Sequence, residues 1–184
     1  MKRKFKQKEP LPIIHIIGLP GAGKTTLAKR LAKELKLPVY SIGKHRSRFP
    51  MDPIGEADAW VALYRDLSRR KWRNCILETT GLNSRESFLK TALPPLQIIT
   101  IKLEAQRKIL YERINKKAKR EQGGKWLFSL DYADKSEFVK KLFKGFKEIP
   151  SEIKIDTSKI KAYDVYKIAL IKIKDHTIML SDDH

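Results

Sequence analysis

Gly18-Leu19-Pro20-Gly21-Ala22-Gly23-Lys24-Thr25 sets a glycine, four residues, and then Gly-Lys-Thr between an apolar run, Pro12 to Ile17, and a run with leucines at helical spacing, Leu27, Leu31 and Leu35. Chemistry follows from those residue types. Glycines let the main chain wrap closely round a β-phosphate, and the amides of residues 21 to 26 point inward at the start of a helix whose dipole favours anions. Lys24 then suits the β- and γ-phosphates, the Thr25 hydroxyl suits Mg2+, and Thr26 suits the α-phosphate. The motif in this strand-loop-helix context predicts ATP binding with Mg2+, with Gly18, Gly21, Ala22, Gly23, Lys24, Thr25 and Thr26 forming the cradle.

Transfer of a phosphoryl group to an alcohol calls for a carboxylate near the attacking oxygen, to orient it and take up its proton. Asp52, Glu56 and Asp58 in "MDPIGEADAW" and Glu78 at the end of "CILETTG" are candidates. Glu78 suits a water-mediated hold on Mg2+, orientation of the acceptor, or both. Asp58, near the start of a helix, equally suits a helix dipole. Arg113, Lys116, Lys117 and Arg120 fall at i, i+3, i+4 and i+7, so they share one helix face. That stripe fits a clamp on transferring phosphoryl oxygens or a solvated basic face. A guanine-reading Asn-Lys-x-Asp is missing, since "NKKA" lacks the acid, and Glu78 is the only acid that closes an early apolar strand. GTPase and motor readings are disfavoured.

These residues need a scaffold, and a chain of 184 residues, 41% hydrophobic, has room for one domain. Residues 1–12 read as a basic N-terminal arm and 13–184 as the domain. Apolar runs at "PIIHII", "PVYSI", "NCILETTG", "LQIITIKL" and "EIKIDTS" alternate with helical patterns. The helices are expected at "KTTLAKRLAKEL", "GEADAWVALYRDLSRR", "EAQRKILYERINKKAKRE", a segment opened by Asp134, and "AYDVYKIALIKIK", whose alternating tail also suits a strand. Such alternation predicts an α/β fold of three layers, a five-stranded parallel sheet with helices on both faces. Cys75, the only cysteine, excludes an internal disulfide and suits a reducing cytoplasm as a buried apolar residue. The apolar runs are too short for a membrane span, so no membrane role is expected. Forty Lys and Arg against 21 Asp and Glu, a formal +19, favour a nucleic-acid or other polyphosphate partner over a merely solvated surface.

"GLPGAGKTT", "LETTG", "YERINKKAKRE" and "IDTS", in this order along nearly the whole chain, resemble the small P-loop kinases, the nucleoside-monophosphate-kinase-like group that includes polynucleotide kinases. The resemblance implies a mobile lid, here around residues 113–133, and in-line transfer of the γ-phosphoryl group. It also implies that Arg113 and Arg120, with Arg107 behind them, clamp the phosphoryl group. Asp156 would lead into the adenine-contacting loop, unless it only forms a turn after the strand. Polynucleotide kinases typically carry Ser-x-Asp-Asp-x-Arg after the second strand, whereas this chain reads Ser41-Ile42-Gly43-Lys44-His45-Arg46. The acids are replaced, which puts a direct carry-over of the base in doubt and directs attention to Asp52, Asp58 and Glu78.

Lys44, His45, Arg46 and Arg48 instead suggest an acceptor that already carries phosphates, with Arg65 to Arg73 adding five positive charges against one negative. Trp72 within that run suits stacking on a base or, more simply, packing. "SIGKHR", "GEADAW" and "ETTGLNSRE" look most like phage-type kinases acting on hydroxymethylated pyrimidines in DNA. The resulting expectation is an ATP- and Mg2+-dependent kinase acting on a hydroxyl of nucleic acid, DNA ahead of RNA, in the cytoplasm, with no protein partner inferred. The alternatives are a small-molecule or nucleoside monophosphate kinase and a nucleotide-gated nucleic-acid-binding protein without transferase activity.

Overall fold

β-Branched runs bounded by Pro, Gly and charged residues give inner strands buried on both faces, as parallel sheets require. A computed structural model of the chain describes residues 11–82, 98–120 and 143–182, and side chains of all these except 117–120 and 178–182. The basic arm up to Pro10, the expected lid beyond residue 120 and the start of the helix expected from Asp134 lie outside the described residues.

The elements run β1 (Ile13–Gly18), α1 (Lys24–Leu35), β2 (Val39–Ser41), α2 (Ile42–Arg46), α3 (Pro53–Arg69), β3 (Ile76–Glu78), β4 (Ile98–Glu104) and α4 (Arg107–Arg120). A short helix α5 (143–148), β5 (Ile153–Asp156) and α6 (Ala162–Asp182) complete them. All strand pairs are parallel and the order is β2-β3-β1-β4-β5. The expected five-stranded parallel sheet is therefore present. Chain order reverses beside β1, because β3 lies on one side of it and β4 on the other. Open α/β sheets hold ligands beyond the strand ends at such a point.

Alternation along the strands feeds two cores. Ile14, Ile16, Ile76 and Ile101 face α1 and α6 through Leu27, Leu31, Val165, Ala169 and Ile173. Ile13 and Leu77 face α3 through Ala59, Trp60, Leu63 and Leu67. Each fully buried Ile or Leu contributes about 1.5–3 kcal/mol relative to exposure, so the two-sided pattern fixes the register of β1 against both neighbours.

Several local expectations are revised. Ile42, which ends the strand run "PVYSI", instead opens α2, where Ile42–Arg46 coil with Ile42 buried. α3 starts at Pro53 rather than Gly55, because Asp52 accepts a hydrogen bond from the Gly55 amide at 2.7 Å and proline suits the first helical turn. Gly55 has no substitute there, as a Cβ would fall 2.1 Å from the Pro50 carbonyl oxygen. α4 starts at Arg107, and Glu104 closes β4 instead. The alternating tail "IALIKIK" is helical, since Val165, Ala169 and Ile173 recur every four residues and bury against the sheet. Lys102, fully buried on β4, donates to the carbonyls of Lys147 (3.0 Å) and Ile149 (3.1 Å) and pairs with Glu104 at 3.2 Å, tying the end of α5 to the sheet.

Candidate active site

The strand ends set the geography. β2 and β5 are the two edges of the described sheet, four inter-strand gaps or roughly 19 Å apart, with the phosphate loop in the middle after β1. A cavity of about 680 Å3 runs along this edge, lined in its centre by residues 20–27 and by Glu78, Thr79 and Thr80. Toward β2 it meets Ser41, Ile42, Gly43 and Arg46, and toward β5 it meets Arg113, Thr157, Ile160, Ala162 and Val165.

Gly21 and Gly23 adopt φ of 82° and 97°, which turns the chain into the start of α1. At Gly21 a side chain is excluded twice, by that conformation and by the Leu110 carbonyl oxygen 2.8 Å from a built Cβ. The loop is thus pressed against α4. Lys24 Nζ donates to the carbonyls of Gly18 (2.8 Å) and Leu19 (3.2 Å), so the ammonium lies folded over the cradle. Thr25 Oγ1 donates to Glu78 Oε1 at 2.6 Å. This contact follows from register, because Glu78 pairs with Ile16 of β1 and Ser41 of β2 and so stands just below the loop. Glu78 is buried, and its neighbour Thr79 meets His15 Nε2 across the β1–β3 pair at 2.8 Å.

At the β5 end, Arg113 reaches back from α4. Its guanidinium donates to Thr157 Oγ1 (3.0 Å), the Thr157 carbonyl (2.6 Å) and, at 3.4 Å, the Gly21 carbonyl. Thr157 Oγ1 donates in turn to the carbonyls of Ala22 (3.2 Å) and Glu104 (3.1 Å). One threonine therefore joins the phosphate loop, β4 and α4. Sequence reasoning passed over it in favour of Asp156, yet the signal was available: Ile153, Ile155 and Thr157 all point inward, and Thr157 is the polar member of that row. Asp156 points outward, accepts from the amide and hydroxyl of Ser158 at 2.8 and 2.6 Å, and lies outside the cavity. Those two hydrogen bonds hold its carboxyl below the usual range. Asp156 thus holds the chain to Ser158 just after β5.

The β2 end departs further from expectation. His45 is buried, not exposed: Nδ1 donates to the Ser41 carbonyl (2.9 Å) and Nε2 sits 3.1 Å from Asp66 Oδ2. Helix α2 turns it inward against α3. Arg46 alone of the four expected acceptor-side cations lines the cavity, while Lys44, His45 and Arg48 do not. Its Nε and Nη2 bond the two Glu56 oxygens at 2.7 and 2.6 Å, and Glu56 also accepts from Trp60 Nε1 at 2.8 Å. Asp52 is occupied as the α3 cap, and Asp58 is exposed outside the cavity. Glu78 is the one carboxylate lining the cavity among the described residues. The Arg107 guanidinium lies by the Tyr111 ring and away from the cavity, and the Arg120 side chain lies outside the described residues.

The donor set suits ATP and Mg2+. Nothing lies within 4 Å of a Cβ built on Gly23, so the cradle is open on the side where a phosphate would sit. No group of three or more His, Cys, Asp or Glu side chains converges among the described residues. A hydroxyl and one carboxylate are the sparse protein share typical for Mg2+, which keeps water and phosphate oxygens as its other ligands.

This is the P-loop kinase fold, an α/β nucleotide-binding sheet with the phosphate loop at its switch point. By family, the chain belongs to the AAA domain family, whose model matches residues 14–140. Solved structures with the same fold include a gluconokinase from Sinorhizobium meliloti 1021, at 14% identity and a TM-score of 0.66, covering 96% of this chain and 100% of that one. Shikimate kinase from Acinetobacter baumannii in complex with shikimate gives 20% identity and 0.65, with 94% of each chain covered. Thymidylate kinase from Candida albicans gives 16% and 0.59, covering 91% and 93%. No curated protein matches the sequence. Fold and phosphate loop are together consistent with an ATP-dependent phosphotransferase. Among the described residues no helix is long and apolar enough to cross a membrane.

Proposed function

We propose that the chain is a Mg2+- and ATP-dependent kinase that phosphorylates a small molecule carrying an anionic group. The observation that carries this reading is the continuous cavity, which joins Lys24, Thr25 and Glu78 to Arg46 at one end and to Thr157 and Ile160 at the other. Bound Mg2+·ATP supplies the transferable phosphoryl group and partial neutralisation of its charge.

The chain's own residues do the remainder. Loop amides and Lys24 grip phosphate oxygens, which replace the Gly18 and Leu19 carbonyls as partners of the ammonium. Thr25 and Glu78, already in contact, hold the metal side of the site. Arg113 and Thr157 fix the wall beside the nucleotide, and Ile160, Ala162 and Val165 give it an apolar surface. Arg46, held rigid by both Glu56 oxygens, presents its remaining donor edge to an anionic acceptor. The acceptor oxygen attacks the γ-phosphorus in line, the bond to the bridging oxygen breaks, ADP leaves, and the acceptor's proton passes to Glu78 or to water.

Nucleic acid as the acceptor, including the hydroxymethylated pyrimidine, is the second reading, and the formal +19 favours it. Against it, only one of the four expected acceptor-side cations lines the cavity. γ-Labelled ATP offered with sugar acids, hydroxy acids, nucleoside monophosphates, 5′-hydroxyl DNA and RNA, and hydroxymethylated duplex DNA separates the two. Label on a small acceptor, lost in Lys24→Ala, is the expected result. Label confined to polynucleotides overturns it, and ATP binding with no labelled product supports a binding protein without transferase activity.

A further inference from the structure

Four exposed cations gather where the strands begin, at the opposite end of the sheet from the cavity. α3 runs back from the strand ends, so its last turn and the loop to β3 emerge where the strands begin. There Arg69, Arg70, Lys71 and Arg73 are all exposed. Among the described residues Arg69 has a long 3.4 Å contact to Asp66, and Arg70 one to the Tyr40 hydroxyl at 3.4 Å. Lys71 and Arg73 have no ion pair among the described residues.

The loop is built, not loose. Lys71 and Trp72 both adopt φ of 55° and Asn74 adopts 53°, left-handed values that cost non-glycine residues free energy and persist only where surroundings enforce them. The enforcement is visible. The amides of Lys71 and Trp72 donate to Ser68 (2.7 Å) and Leu67 (3.1 Å), and the Trp72 ring packs on Tyr64 with centroids 6.0 Å apart. Trp72 is thereby used for packing, and the two residues flanking it face solvent.

Asn74 ties this loop to the residues just before β1. Its side chain accepts from the Leu11 amide at 2.9 Å, and its amide donates to the Leu11 carbonyl at 2.8 Å. On the other side the register Val39↔Ile76 brings the start of β2 alongside, with Lys36 exposed at the end of α1.

We propose that this edge, made by the α3–β3 loop and Lys36, is a docking surface for the phosphodiester backbone of a nucleic acid. It binds the polymer as a platform and not as the acceptor. Four residue steps of extended chain take Asn74 to Glu78, about 13 Å, so a polymer held here leaves the cavity free for a small substrate. The inference does not depend on the kinase reading, because it concerns affinity and not turnover.

Fluorescence anisotropy of a labelled 20-nucleotide single strand and the matching duplex, titrated with full-length protein across a salt series, tests it. K71Q/R73Q should bind at least about tenfold more weakly and lower the slope of log affinity against log salt by about 0.7 to 0.9 per charge removed. ATP binding should stay unchanged in that variant. A control, K44Q/R48Q, should retain wild-type affinity. Unaltered affinity and slope in K71Q/R73Q overturn the proposal. So does a loss confined to K44Q/R48Q, which places the polymer at the cavity mouth. Binding to phosphatidylserine vesicles with none to either oligonucleotide overturns it in favour of a membrane surface.

Discussion

The two ends of the cavity are built by different means. At the nucleotide end the contacts run through the backbone: loop amides, the Gly18, Leu19, Gly21 and Ala22 carbonyls, and Thr157 with Arg113 binding them together. At the proposed acceptor end they run mainly through side chains, Arg46 on Glu56, Glu56 on Trp60 and His45 on Asp66, with one backbone contact from His45 to the Ser41 carbonyl. Backbone contacts of this kind follow from the motif and the fold. Side-chain networks can be rewritten one residue at a time, and Gly43 and Lys44 add no acid to this one.

That contrast orders the expected effects of substitution. Lys24→Ala removes the one cation placed at the phosphates by the loop itself. Turnover should fall by about a hundred- to a thousandfold with any acceptor, as initial-rate kinetics will show. Glu78→Gln keeps the contact to Thr25 but removes the charge. Turnover should fall by about ten- to a hundredfold while ATP affinity without Mg2+, measured calorimetrically, stays near wild type. If turnover survives, the metal side is not organised through this pair.

Arg46→Gln sharpens the distinction, since it touches the acceptor end only. The acceptor KM should rise roughly ten- to a hundredfold with little change in the ATP KM, matching loss of a charged hydrogen bond. Glu56→Gln, which frees Arg46 from its brace, should move the same constant in the same direction by less. Thr157→Val is the opposite probe: the ATP KM should rise by about two- to tenfold, and the acceptor KM should hold.

The smallest effect is expected at Cys75. Burial pushes its thiol up to about 12, against a weaker opposing pull from Arg70. The folded value lies above the unfolded one, so the contribution to stability is complete at neutral pH and is lost as pH rises toward that value. At pH 8 the native thiol should resist a water-soluble disulfide reagent and react at full rate only after denaturant is added. Rapid reaction of the native protein would show that the β3 face opens.

The nucleotide end was legible in the sequence because its signals are local. Eight consecutive residues define the loop, and the flanking patterns of two-residue and helical period define the strand and helix around it. Glu78 was legible for the same reason, as the acid that closes a short apolar run. The acceptor end was not. Whether "KHR" forms an exposed loop or a helix depends on whether His45 finds partners, and those are Ser41, in the same turn, and Asp66, twenty-one residues away. The cap role of Asp52 was local in principle, but it was obscured by three acids in seven residues competing for one helix start.

By itself, the sequence determined the donor, the parallel sheet and the sign of the protein's field. Those depend on periodicity, on a contiguous motif and on net charge, all properties of a linear chain. Only the tertiary structure decided which cations face the cavity and which face away from it. The direction of a side chain is fixed by the helix that carries it and by the distant partner that anchors it, and neither is written within the few residues around it.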